Sequence, residues 1–159
     1  MGQALLVENA VTMVKEGLSL IDIVESLEKN KRKVKQYAMV DTLDYLLKRG
    51  RISKSQYVIG NILQMKIILT SNEGELIVET KVRGTNKARK WLEEKYFSDK
   101  DNIDFSKSLS ICYREDKDIE LKGAAFEEIR GNNHLKIDIS SLILLFTGET
   151  AVGLGYFVK

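Results

Sequence analysis

The chain has 159 residues, 43% apolar and 30% charged, a balance that suits a folded domain with a sizeable core and excludes a disordered tail. Its 25 lysines and arginines against 23 aspartates and glutamates leave a net charge of +2, which gives no electrostatic case for nucleic acid. The one cysteine, Cys112, excludes a disulfide framework and a cysteine-based metal site, fits a reducing, cytoplasmic setting, and accompanies a chain with no apolar run of the roughly 18 residues that stable membrane insertion needs.

The N-terminal segment lacks the basic region of a signal peptide. Residues 4–16 are expected to be helical, with Leu6, Ala10, Met13 and Val14 on one face, Leu5 beside them and Gly17 as C-cap. Ser19, with Asp22 three residues on, opens a second helix whose apolar stripe is Leu20, Ile23, Val24 and Leu27. That helix runs out in Lys29–Lys35, KNKRKVK, which is either a patch for phosphate or acidic lipid or a solvated helix end whose charge complements the macrodipole. Tyr37–Val40 is a short buried strand. Asp41 or Thr42 caps a helix over Thr42–Lys48, and Ser53 caps another with Val58, Ile59, Ile62 and Leu63 inward.

A hairpin follows, Lys66–Thr70 and Glu75–Lys81 around Ser71-Asn72-Glu73-Gly74. Thr85 caps a helix carrying Ala88, Trp91, Leu92 and Tyr96, and SDKDNID reads as a polar loop. SLSICYR alternates, with Leu109, Ile111 and Tyr113 opposite Ser108, Ser110 and Cys112; HLKIDI alternates through Leu135, Ile137 and Ile139. Between them, residues 117–130 make a weaker helix interrupted by Gly123. Leu142–Phe146, LILLF, reads as an inner strand, and the glycine-containing TGETAVGLGYF closes the chain. A boundary is expected near residues 49–53, with Gly50 as a joint between two packed units.

Few constellations carry chemistry. No zinc or haem signature is present, and His134 reads as a surface or strand-edge residue; a serine hydrolase would lack the G-x-S-x-G elbow. Neither TGET nor VGLGYF is a phosphate-binding glycine loop. Asp41 and Asp44 form an acid–base pair or, in the alternative, a helix cap and a solvated carboxylate. Arg51 and Arg83 each sit beside a glycine just ahead of a helix, where two guanidinium groups make an anion-receptive surface or are simply exposed.

Four segments together resemble the DegV family of bacterial fatty-acid-binding proteins, which includes the FakB subunits of fatty acid kinase. They are MVDTLDYLLKRGRIS, ILQMKIIL, EGELIVETKVRG and TGETAVGLGYF. The resemblance spans nearly the whole chain, but members are about twice as long, so Met1 falls inside their first domain. It implies an α/β (α+β) protein: residues 1–50 a helical remnant with one strand from an incomplete Rossmann-like first domain, 51–140 a second domain on a mixed or antiparallel sheet, and 141–159 returning towards the first. It further implies a long-chain fatty acid enclosed by apolar side chains and presented to a fatty acid kinase subunit, with no catalysis, cofactor or metal in this chain. Residue by residue, Arg51 and Arg83 match arginines of partner docking or anion contact, and Thr147 and Gly148 match the start of the ligand loop. Phe146 stands where the family has a carboxylate-binding histidine, and Glu149 and Thr150 where it has Pro-Gly. The missing strands imply self-association through an exposed edge; a remnant serving as an interaction module without ligand is the alternative.

Overall fold

Strand β6, Val152–Phe157, is buried along its whole length and organises the rest of the molecule. In the computed structural model, which describes residues 1–54, 57, 65–114, 122–148 and 151–159, it lies in a six-stranded mixed sheet of order β3-β2-β1-β6-β4-β5. The other strands are β1 Val34–Val40, β2 Met65–Asn72, β3 Glu75–Arg83, β4 Leu109–Tyr113 and β5 His134–Asp138. Only β4 and β5 run parallel; the remaining pairs are antiparallel. The sheet draws strands from all three segments distinguished in the sequence, and the α/β class with a mixed sheet is as expected. Helices α1 Gly2–Lys15, α2 Leu20–Asn30, α3 Asp44–Lys48, α4 Thr85–Asp99, α5 Ala124–Gly131 and α6 Ser141–Thr147 complete the described elements.

Local chemistry explains most boundaries. The Ser19 hydroxyl accepts from the Asp22 N–H at 3.3 Å, the expected cap of α2. Helix α1 closes at Gly17 (φ 82°), whose N–H reaches the Val14 carbonyl while that of Leu18 reaches Met13. In the hairpin, Asn72 pairs with Glu75, so the turn is two residues, Glu73 (φ 48°) and Gly74 (φ 86°), the left-handed pair that matches strand twist.

Several expectations are corrected. Leu142–Phe146 is helix α6, not a strand, and Leu142, Ile143 and Leu145 are exposed. Gly84, not Thr85, is the N-cap of α4; its φ of 83° turns the chain, and no side chain caps the helix. Helix α3 starts at Asp44 rather than Thr42, although the Thr42 hydroxyl does accept from the Asp44 N–H at 3.1 Å. SDKDNID continues α4 and adds a 3₁₀ turn over Lys100–Asn102. On α1 the buried face is Leu5, Asn9 and Met13, with Val14 outward, and on α2 only Ile23 is buried. Val58, Ile59, Ile62, Leu63 and the start of the 117–130 segment lie outside the described residues.

Two apolar clusters flank the sheet. One gathers Tyr37, Met39, Ile68, Leu109, Ile111, Val152, Leu154 and Tyr156 against Leu92 and Tyr96 of α4 and Phe126 and Ile129 of α5. At ~1.5–3 kcal/mol for each fully buried side chain, this face supplies most of the folding drive. The other gathers Val40, Ile67, Leu69, Ile139 and Ala151 against Leu43 and Leu46 of α3, with Leu144 and Phe146 of α6 beside them.

Candidate functional site

The second face holds four of the predicted site residues, Arg51, Phe146, Thr147 and Gly148, at a corner where α3 meets α6. Helix α3 ends in a left-handed closure: the Gly50 N–H bonds the Leu47 carbonyl at 3.0 Å, and the Arg51 N–H bonds that of Leu46 at 2.8 Å. Gly50 has φ 65°, a conformation that glycine adopts without strain. This closure turns the arginines on either side of it onto one ring, with Arg49 Cζ 5.4 Å and Arg51 Cζ 5.5 Å from the centroid of Phe146. Contacts of this kind are worth ~0.5–1 kcal/mol each at exposed sites. Arg49 also donates from Nε to the Leu145 carbonyl at 3.0 Å, placing a cation at the negative C-terminal end of α6.

Thr147 and Gly148 belong to the same corner. The Thr147 hydroxyl donates to the Ile143 carbonyl at 3.1 Å, with the Gly148 carbonyl at 3.2 Å as its alternative. Gly148 (φ 75°) donates its N–H to Leu144 at 2.9 Å, and a Cβ there would lie 3.3 Å from the Tyr45 ring. Phe146, Thr147, Gly148 and Arg51 therefore come together. Arg83 does not join them: it is exposed at the end of edge strand β3, opposite Met65. Glu149 and Thr150 lie outside the described residues. Phe146 cannot replace a histidine as a donor, but it is the platform that holds two guanidinium groups at the corner.

The two nearby carboxylates are not an acid–base pair. Asp41 is ion-paired with Lys66, and Asp44 accepts from the Tyr57 hydroxyl at 2.6 Å. The hydrogen bond from Tyr57, seconded by Thr42, holds the Asp44 carboxyl below its ordinary range. His134 opens edge strand β5, with Nδ1 3.0 Å from the Asn132 carbonyl, as expected of a strand-edge residue.

Beyond the corner the same face is floored by small side chains. Ala38, Gly153 and Cys112 pair across β1, β6 and β4, and Gln36, Gly155 and Ser110 form the next row. The Met1 side chain lies in this trough, so close that a Cβ on Gly153 would sit 2.8 Å from its sulfur. Burial raises the pKa of the Cys112 thiol. The trough leads towards a cleft of about 730 Å³ between the start of α1, Lys31–Lys35 and the hairpin turn. That cleft is lined mostly by polar groups, including Lys31, Arg32, Lys35, Gln36 and Asn72. The apolar surface on this face is thus the corner cluster and the trough, not the cleft. Sequence reasoning missed Arg49, Tyr45 and the trough, although the glycines at alternate positions of VGLGYF mark one face of a strand left without side chains.

Among the described residues no group of side chains could hold a metal ion, and no helix is long and apolar enough to cross a membrane. The model of the DegV family of uncharacterised proteins matches residues 1–159. The chain belongs to the DegV family. A DegV domain-containing protein of Caldanaerobacter subterraneus is 37% identical over 115 residues, covering 72% of this chain and 38% of that protein. A fatty acid binding DegV family protein of Streptococcus agalactiae superposes with a TM-score of 0.73 at 28% identity, covering 97% of this chain and 55% of that one. The Streptococcus pneumoniae fatty acid kinase B3 protein, loaded with linoleic acid, shares the fold at a TM-score of 0.81 and 22% identity, covering 98% of this chain and 55% of that one. The chain thus spans about half the length of these solved DegV proteins and less of the curated relative.

Proposed function

We propose that this chain binds a long-chain fatty acid, holding the carboxylate at the α3–α6 corner and laying the acyl chain along the second face of the sheet. The observation that carries the reading is the convergence of Arg51, Thr147 and Gly148, distant in sequence, beside an apolar cluster in a DegV chain. Arg51 supplies forked donors matched to a carboxylate, and Thr147 can add its hydroxyl by releasing the Ile143 carbonyl. Leu46, Ile52 and Leu144 belong to the apolar cluster that also takes in Cys112 of the trough, and the trough already accepts the unbranched side chain of Met1. The protein acts as a carrier rather than a catalyst, works in the cytoplasm, and presents the acid to a kinase subunit through the exposed Arg51 and Arg83. In this reading residues 1–50 correspond to part of the first domain of longer relatives.

Delipidation of the purified chain followed by mass spectrometry tests this reading. Co-purified long-chain acids, and saturable rebinding of palmitate or oleate to the stripped protein, are the expected results. A chain that carries no lipid and rebinds none favours the second reading, an interaction module without ligand. That reading draws on the apolar side chains exposed on α1, α2 and α6.

A further inference from the structure

Helix α1 is apolar on two opposite faces. Leu5, Asn9 and Met13 point inward, towards α2 and the sheet. Val7, Val11 and Val14 form a second stripe that is 56, 46 and 62% exposed, and Leu18 extends it past the helix end. Helix α1 thus carries apolar side chains on the face turned away from the sheet as well as on the face turned towards it. The stripe advances by four, three and four residues, the spacing of a seam that packs against another helix. Leu20, Ile21 and Val24 of α2, also exposed, flank it.

The charges beside the seam point to the occupant. Glu8 and Lys15 follow Val7 and Val14 and so occupy equivalent flanking positions one heptad apart. When two such helices pair antiparallel around Val11, the equivalent flanks face each other. Glu8 of each copy then lies across from Lys15 of the other, twice by symmetry. Parallel pairing would set these charges against the uncharged Gln3 and Ala10 instead. Neither Glu8 nor Lys15 has an ion-pair partner among the described residues; Glu8 accepts only a long 3.5 Å hydrogen bond from Thr12. We propose that the outer face of α1 is a dimer interface for a second copy of this chain, packed antiparallel about Val11, and not the sheet edge. This interface is independent of the ligand reading, because the stripe lies on the side of α1 turned away from the sheet.

Sedimentation of the full chain from micromolar to near-millimolar concentration tests it. The expected result is a concentration-dependent dimer that Val11→Asp weakens at least ~tenfold by burying a charge in the seam, with an unchanged far-ultraviolet circular dichroism spectrum. Glu8→Lys or Lys15→Glu alone sets like charges opposite each other and weakens it ~tenfold, and the double reversal restores it to within ~threefold. Ile143→Asp on the exposed face of α6 leaves the dimer intact. A chain that stays monomeric throughout overturns the proposal. So does a dimer indifferent to Val11→Asp, one broken by Ile143→Asp, or a double reversal no better than either single change.

Discussion

The two faces of the sheet are built to different standards. The face under α4 and α5 is closed: Tyr96, Phe126, Leu154 and Tyr156 are fully buried, and the tyrosine hydroxyls reach Glu128 at 3.2 Å and Asp99 at 2.9 Å. Burial and these carboxylates raise both tyrosine pKa values, so the pair stays neutral and bonded across the physiological range. The face under α1, α3 and α6 has small side chains at its centre, a polar cleft at one end and two arginines on a phenylalanine at the other. The difference separates a face closed by large buried side chains from one floored by small side chains against Met1, and substitutions can break that division.

The largest expected effect is on the closed face. Leu154→Ala should cost ~3 kcal/mol by loss of transfer energy plus a residual cavity. Leu144→Ala on the open face should cost under ~1 kcal/mol, since Leu144 is already half-buried. Urea denaturation compares them, and equal losses would erase the distinction between the faces. Next comes Gly153→Ala, whose methyl group would lie 2.7 Å from the Tyr37 carbonyl oxygen. In a central strand the backbone cannot yield cheaply, so a loss of ~2 kcal/mol is expected. Gly131→Ala, with open space around it, should stay within ~0.5 kcal/mol in the same assay.

Gly50→Ala should cost ~1 kcal/mol through its left-handed backbone, and by shifting Arg51 it should also weaken ligand binding. The smallest effect is on pH dependence. Because the folded Asp44 carboxyl is depressed below its ordinary value of 3.8, it contributes stability above that pH and loses it as the pH falls through the lower folded value. Tyr57→Phe removes the largest cause and should flatten this part of the acid-unfolding curve. An unchanged curve would mean that the Asp44–Tyr57 bond does not form in solution.

The sequence made legible those features that are set by neighbouring residues. Ser19 announces α2, and Ser71–Gly74 the hairpin, although Ser71 and Asn72 belong to β2 and the turn itself is Glu73-Gly74. The left-handed closures at Gly17 and Gly50 follow from glycine at the end of an apolar period. LILLF was misread because a short, wholly apolar run carries no period that separates helix from strand. Its flanks, Ser140 before and Gly148 after, are the helix signals that outweigh the β-like composition. The placement of β6 between β1 and β4 depends on non-local pairing, which no local pattern specifies. At the site, each residue of the corner except Arg49 and Tyr45 was identified through the family motif, but that Phe146 would gather both arginines needed the fold. Arg83, grouped with Arg51 on sequence context alone, stands on another element.

The central claim is that Arg51 anchors a carboxylate on the open face. Isothermal titration of palmitate into delipidated protein, native against Arg51→Ala, tests it most directly. Saturable binding weakened ~tenfold or more by the loss of charge-assisted hydrogen bonds, with stability lowered by no more than ~1 kcal/mol for the lost contact with Phe146, is the predicted result. Equal affinity for both proteins, or no saturable binding to either, would contradict it.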